Sequence, residues 1–107
     1  MIETIKHLAE MALDEAEGAC HYAKLAVENK KDHPVMAEAV ANLAAQELTH
    51  MSTLMQIAEK MTNEMGHETS DDKLHYEIAT MIVDWAREKQ SEKAAMAKMH
   101  LEQYKSM

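Results

Sequence analysis

Apolar residues recur along this chain at three- and four-residue steps in three long runs, separated by two short polar breaks. In the first run Ile5, Leu8, Ala9, Ala12, Ala16, Ala19, Ala23, Ala26 and Val27 fall on one face at helical spacing. The pattern predicts a helix over about residues 2–29. The segment ENKKDHP then breaks it. Pro34 disfavours helix at His33 and suits the first turn of a new one. A second helix is predicted over about residues 34–64, with the stripe Met36, Val40, Leu43, Glu47, His50, Leu54, Ile57 and Met61. MGHETSDD forms the second break, with Gly66 expected as a C-terminal stop and Ser70 or Asp71 as the next N-cap. The third helix is predicted over about residues 72–104, with Leu74, Ile78, Met81, Ile82, Trp85, Met96 and Met99 as its stripe. Its polar stretch EKQSEK, near residue 90, is where a bend is expected.

Composition supports an all-α reading. The 107 residues include 2 Gly, 1 Pro and no Phe, so the turn chemistry of a many-stranded fold is missing. One domain over residues 1–107 fits this length. The short first loop predicts an antiparallel hairpin, with the long third helix covering one side. Three such helices leave a wide apolar face uncovered, which predicts self-association, most simply as a two-fold dimer. The 11 methionines suit adaptable helix–helix contacts.

Charge narrows the partners. With 19 acidic and 11 basic residues the net charge is −8, and no basic patch stands out, which argues against nucleic acid. The single Cys20 cannot form an internal disulfide and fits a reducing compartment. No apolar run approaches the roughly 20 residues that span a bilayer. The start, MIETIKHLAE, is amphipathic and acidic, unlike a signal peptide. A cytoplasmic protein with no membrane partner is expected.

Two stripe positions are out of place. Glu47 and His50 sit on the apolar face of the second helix about one turn apart. Burying an unpaired carboxylate there costs several kcal/mol unless a proton, cation or hydrogen bond compensates. Glu-x-x-His offers one oxygen and one nitrogen ligand from consecutive turns, which suits iron, manganese or zinc. The plainer reading is a core histidine hydrogen-bonded to a neighbouring carboxylate. In the first helix, LDEAEGACHYAKLA supplies Asp14, Glu15 and Glu17 as candidate partners. Facing favours Glu15, which lies nearer the apolar side. Depth below the loop mildly favours Glu17, which is held in reserve. In the third helix Glu92 interrupts the stripe between Trp85 and Met96. It would add a carboxylate, line an ion path, or mark where the stripe leaves the core.

Glu15, Gly18 and Tyr22 form Glu-x-x-Gly-x-x-x-Tyr; a short loop with Pro34 and then ELTH follow. Over roughly residues 8–58 this resembles the helical hairpin of ferritin-like proteins, nearest the rubrerythrin and encapsulated-ferritin branches. That resemblance implies a four-helix bundle holding two irons between carboxylates and histidines. One chain carries only one Glu-x-x-His, so the implied arrangement is a homodimer whose two hairpins share one di-iron centre. In it Glu15 would be a terminal or bridging carboxylate, Glu47 a bridging one and His50 a terminal nitrogen ligand. Tyr22 would hydrogen-bond a ligand carboxylate; its plainer role is an aromatic core filler. The implied chemistry is ferroxidase-type, the oxidation of Fe(II) by dioxygen or peroxide, in iron handling or oxidative defence. No Cys-x-x-Cys pair is present, so the rubredoxin-type relay of full rubrerythrins is not expected.

Two other functions compete. One is a metal-free helical interaction module in which Glu15, Glu47 and His50 form a hydrogen-bond network. The other is a Cu(I) handler using Met51 and Met55, or Met96, Met99 and His100, although methionine at helical spacing is usually core. No nucleophile–base pair, phosphate loop or nucleotide fingerprint is found.

Overall fold

The computed structural model describes residues 1–107, and it is three helices with no strand. Helix α1 spans Ile2–Asn29, α2 Pro34–Asn63 and α3 Ser70–Ser106. Pro34 opens α2 in its first turn, where its missing N–H is no loss. The α3 cap is Thr69, one residue before the expected Ser70 or Asp71; its side chain accepts from the Asp72 N–H at 3.0 Å. Gly66 is not a left-handed stop, since no residue has positive φ. The α2 terminus tightens instead through Glu64 N–H to Lys60 O and Met65 N–H to Thr62 O. The EKQSEK stretch does not interrupt α3. Gln90 in its centre is 6% exposed, so this turn is held by packing.

The helices form a rod about 60 Å long and 17 by 16 Å across. Near one end Ile5, Ala9 and Ala12 pack with Met55 and Ala58 of α2 and with Ala79, Val83 and Ala86 of α3. Further along, Ala19, Cys20 and Ala23 meet Ala44 and Ala97. So α2 runs antiparallel to α1, while α3 runs parallel to it, and α1 is the helix both others pack against. At the far end Lys30 closes the α3 terminus. Its ammonium donates to the carbonyls of Tyr104 and Met107 and lies 4.4 Å from the Tyr104 ring centre.

The buried faces are not the stripes of large residues in α2 and α3. On α2 the buried set is Ala37, Ala41, Ala44, Met55, Ala58 and Thr62; on α3 it is Ala79, Val83, Ala86, Gln90, Ala94 and Ala97. Met36, Leu43 and Ile57, expected in the core, are exposed, and so are Leu74, Ile78, Met81, Trp85, Met96 and Met99. Alanine wins because it lets helix axes approach closely, and its facing neighbours then exclude water without gaps. The bulky residues are rotated about a quarter turn or more away from that contact. Ile5 is the one large side chain that is fully buried. A buried methyl contributes only roughly 0.8 kcal/mol, so an alanine core leaves much apolar surface still to be covered.

Candidate metal centre

Turning alanine toward α1 brings the adjacent edge of α2, with Glu47 and His50, over α1. Glu15 meets them. One donor atom from each of Glu15, Glu47 and His50 falls within 4.8 Å of the others, and His50 Nδ1 is 3.7 Å from Glu15 Oε2. The first helix therefore offers Glu15 to this cluster, and Glu17 is exposed outside it. Facing decided between the two acids because a side chain cannot reach around its own helix, whereas loop slack absorbs a few ångströms of depth. Asp14 is likewise exposed.

The site lies at the surface edge of the hairpin. Glu15 and Glu47 are half-buried, but the His50 side chain is 59% exposed, so the expectation that both stripe residues enter the core fails for His50. Its imidazole forms an accessible rim over two sheltered carboxylates. Glu92 is exposed on the outer stripe of α3 with Trp85 and Met96 and is not in the cluster. Tyr22 makes no hydrogen bond to either carboxylate; with Leu48 and Leu101 it packs on the Ala19–Ala23 core cluster, the aromatic filler role. Met55 is buried and Met51 packs against the other cluster, so this pair serves the core.

The electrostatics are those of an uncompensated pair. The carboxyl of Glu47 is raised above its ordinary 4.5, first by a hydrogen bond shared with Glu15, then by burial and by the Glu15 charge; His50 pulls it down. With both acids ionised, neither has a hydrogen to donate. Glu15 Oε2 is inaccessible to solvent and has no hydrogen-bond partner, with His50 Nδ1 3.7 Å away. Either a proton held between the acids or a cation would relieve this. Two carboxylate oxygens and one imidazole nitrogen, all hard or borderline donors, form a set that suits Fe(II), Mn(II) or Zn(II).

Large apolar residues share the α2 stripe with Glu47 and His50. By helical count Met36, Leu43, Leu54 and Met61 lie within about 10°, and Ile57 about 50°, of the mean direction of the stripe that carries Glu47 and His50. On α1, Met11, Gly18 and Leu25 follow one another at seven-residue steps along the same open edge. Met11, Leu25, Met36, Leu43 and Ile57 are all exposed.

In the sequence Gly18 stands out only as one position of Glu-x-x-Gly-x-x-x-Tyr. The structure places it against the Glu47 carboxylate: a Cβ at residue 18 would lie 3.1 Å from Glu47 Oε2. No helix is long and apolar enough to cross a membrane. Comparison with protein families, characterised proteins and solved structures finds no match for the chain.

Proposed function

We propose that this protein is a ferritin-like, non-haem metal protein that binds iron, or manganese or zinc, through Glu15, Glu47 and His50. The observation that carries the reading is the convergence of three donor atoms within 4.8 Å around a carboxylate oxygen that is buried without a partner. Three protein ligands leave coordination positions to fill. The apolar edge around them is where a second copy would dock, burying Met11, Leu25, Met36, Leu43 and Ile57 and bringing up a second Glu15, Glu47 and His50. Two hairpins would then complete a four-helix bundle around a pair of metals. Bound iron would supply one-electron chemistry, passing electrons from Fe(II) to dioxygen or peroxide. This chain's own residues hold the cation: Glu15 and Glu47 neutralise it, and His50 at the rim gives a nitrogen ligand next to the solvent path.

The competing reading is a metal-free module in which Glu47 keeps a proton and shares it with Glu15. Anaerobic titration of stripped protein with Fe(II), read together with mass in solution, separates the two. One iron per chain with formation of a dimer, and a ferric absorption band on admitting air, is the expected outcome. No uptake of iron would remove the metal reading and leave a protonated carboxylate pair.

A further inference from the structure

Gly18 lies in the middle of a 28-residue helix, where glycine is the poorest choice apart from proline. Its backbone does not require glycine, because no residue of the chain has positive φ. Space does. An added Cβ would stand 3.1 Å from Glu47 Oε2, 3.6 Å from Cδ and 3.9 Å from Cγ. Cγ, Cδ and Oε2 of Glu47 thus lie against the notch that the missing methyl leaves in α1. Glu15 is three residues before Gly18, about one turn away on a neighbouring strip of the same helix. A carboxylate seated in the notch is therefore held beside Glu15, within the 4.8 Å cluster that includes His50.

We infer that Gly18 is the positioning residue of the Glu15–Glu47–His50 site: its missing side chain lets the Glu47 carboxylate lie against α1, within reach of the other two donors. The consequence for metal affinity rests on the metal reading above; the seating of Glu47 does not. The atom that a methyl would press is the far end of a flexible side chain. A methyl at 18 therefore shifts the carboxylate outward by a few tenths of an ångström and leaves the helix packing in place. The donor triangle opens while the fold, with a better helix former at 18, holds or gains stability.

Three measurements on the full chain test this. With Co(II) as the probe metal, Gly18→Ala should weaken binding by about ten-fold or more, a change of ~1.4 kcal/mol, while Tm stays level or rises. In a Glu47→Asp background, whose side chain ends about where Glu47 Cδ lies, 3.6 Å from the added methyl and so without the tight contact, the same Gly18→Ala change should weaken binding several-fold less. Unchanged Co(II) affinity in Gly18→Ala overturns the inference. So does a loss of affinity that is equal in both backgrounds and accompanied by a lower Tm, since that is general damage to packing. The third measurement needs no metal. A nuclear Overhauser contact between the Gly18 α-protons and the Glu47 γ-protons is expected in stripped wild-type protein, and its absence overturns the seating. If wild-type protein binds no Co(II), the metal reading falls, and this contact alone decides the role of Gly18.

Discussion

The two sides of the α1–α2 hairpin are built differently. Toward α3, α1 packs Ala9 and Ala12 with Ala79 and Ala86, and Ala19 and Ala23 with Ala97. That side is small, uncharged and closed. On the other side α1 presents Met11, Gly18 and Leu25 with Glu15, and α2 presents Leu43, Glu47, His50 and Ile57. That side is bulky, holds the one cluster of metal-binding type, and is open. Ala9 and Gly18 are nine residues apart, hence about 180° around α1, so these two stand on opposite faces of the helix. The difference shows what a single chain completes by itself. Close packing needs only small side chains, which α3 supplies. The open side has exposed apolar area and two facing carboxylates, for which the function proposed above supplies a second copy and a cation.

The site substitutions should break this contrast most sharply. Glu47→Ala or His50→Ala is expected to abolish Fe(II) binding by equilibrium titration, and Glu15→Ala should weaken it far more than Glu17→Ala, because Glu17 lies outside the cluster. Next comes self-association. Leu43→Arg or Ile57→Arg on the open side should weaken the dimer about 100-fold or more in sedimentation equilibrium, a loss of ~2.8 kcal/mol. Met81→Arg, on the exposed outer stripe of α3, should leave it unchanged. A dimer lost through Met81 and kept through Leu43 would move the interface to the other side of the molecule.

The closed side should respond in stability instead. Ala44 and Ala97 are fully buried in one cluster, and enlarging either to leucine should destabilise the fold by about 1–3 kcal/mol in denaturant unfolding. The same enlargement at the exposed Ala45 should change stability by less than roughly 0.5 kcal/mol.

The smallest effect is on pH dependence. Glu47 holds its proton more tightly when folded than its ordinary 4.5. Without metal, the folded state then binds more protons than the unfolded one between those two values, so stability falls as pH rises through that window. Below 4.5 both states are protonated and the penalty is absent. Glu47→Gln should flatten the slope in thermal unfolding at a series of pH values. Metal affinity should run the opposite way, weakening as pH drops through the same window, because proton and cation compete for the carboxylates.

Much of this was legible one residue at a time. The helices fall within two residues of the spans that the apolar period and Pro34 predicted, because backbone periodicity is a local property. Glu47 and His50 stood out because a carboxylate among Met36, Val40, Leu43 and Leu54 contradicts its surroundings. The N-cap was misplaced by one residue, since several polar residues in ETSDD can each cap and only the path of the loop selects Thr69. For Tyr22 the sequence leaves two roles open, hydrogen-bonding partner or aromatic core filler; the cluster it packs on includes Ala44 and Ala97 from the two other helices, and no spacing in α1 reveals them.

By itself, then, the sequence determined three helices, their antiparallel first turn, and an out-of-place acid and histidine one turn apart. The rotation of each helix was decided only by tertiary structure. An amphipathic pattern marks which residues are apolar, and in α2 and α3 the apolar arc is wide enough to hold both an alanine strip and a strip of large side chains. Close approach of the axes selects the alanines, because dispersion and water exclusion reward contact without gaps. That rotation carries Glu47 to the rim over α1, chooses Glu15 over Glu17, leaves His50 in solvent and sets Gly18 under the carboxylate. None of these depends on a residue's own neighbours in the chain. Each depends on how two helix surfaces meet.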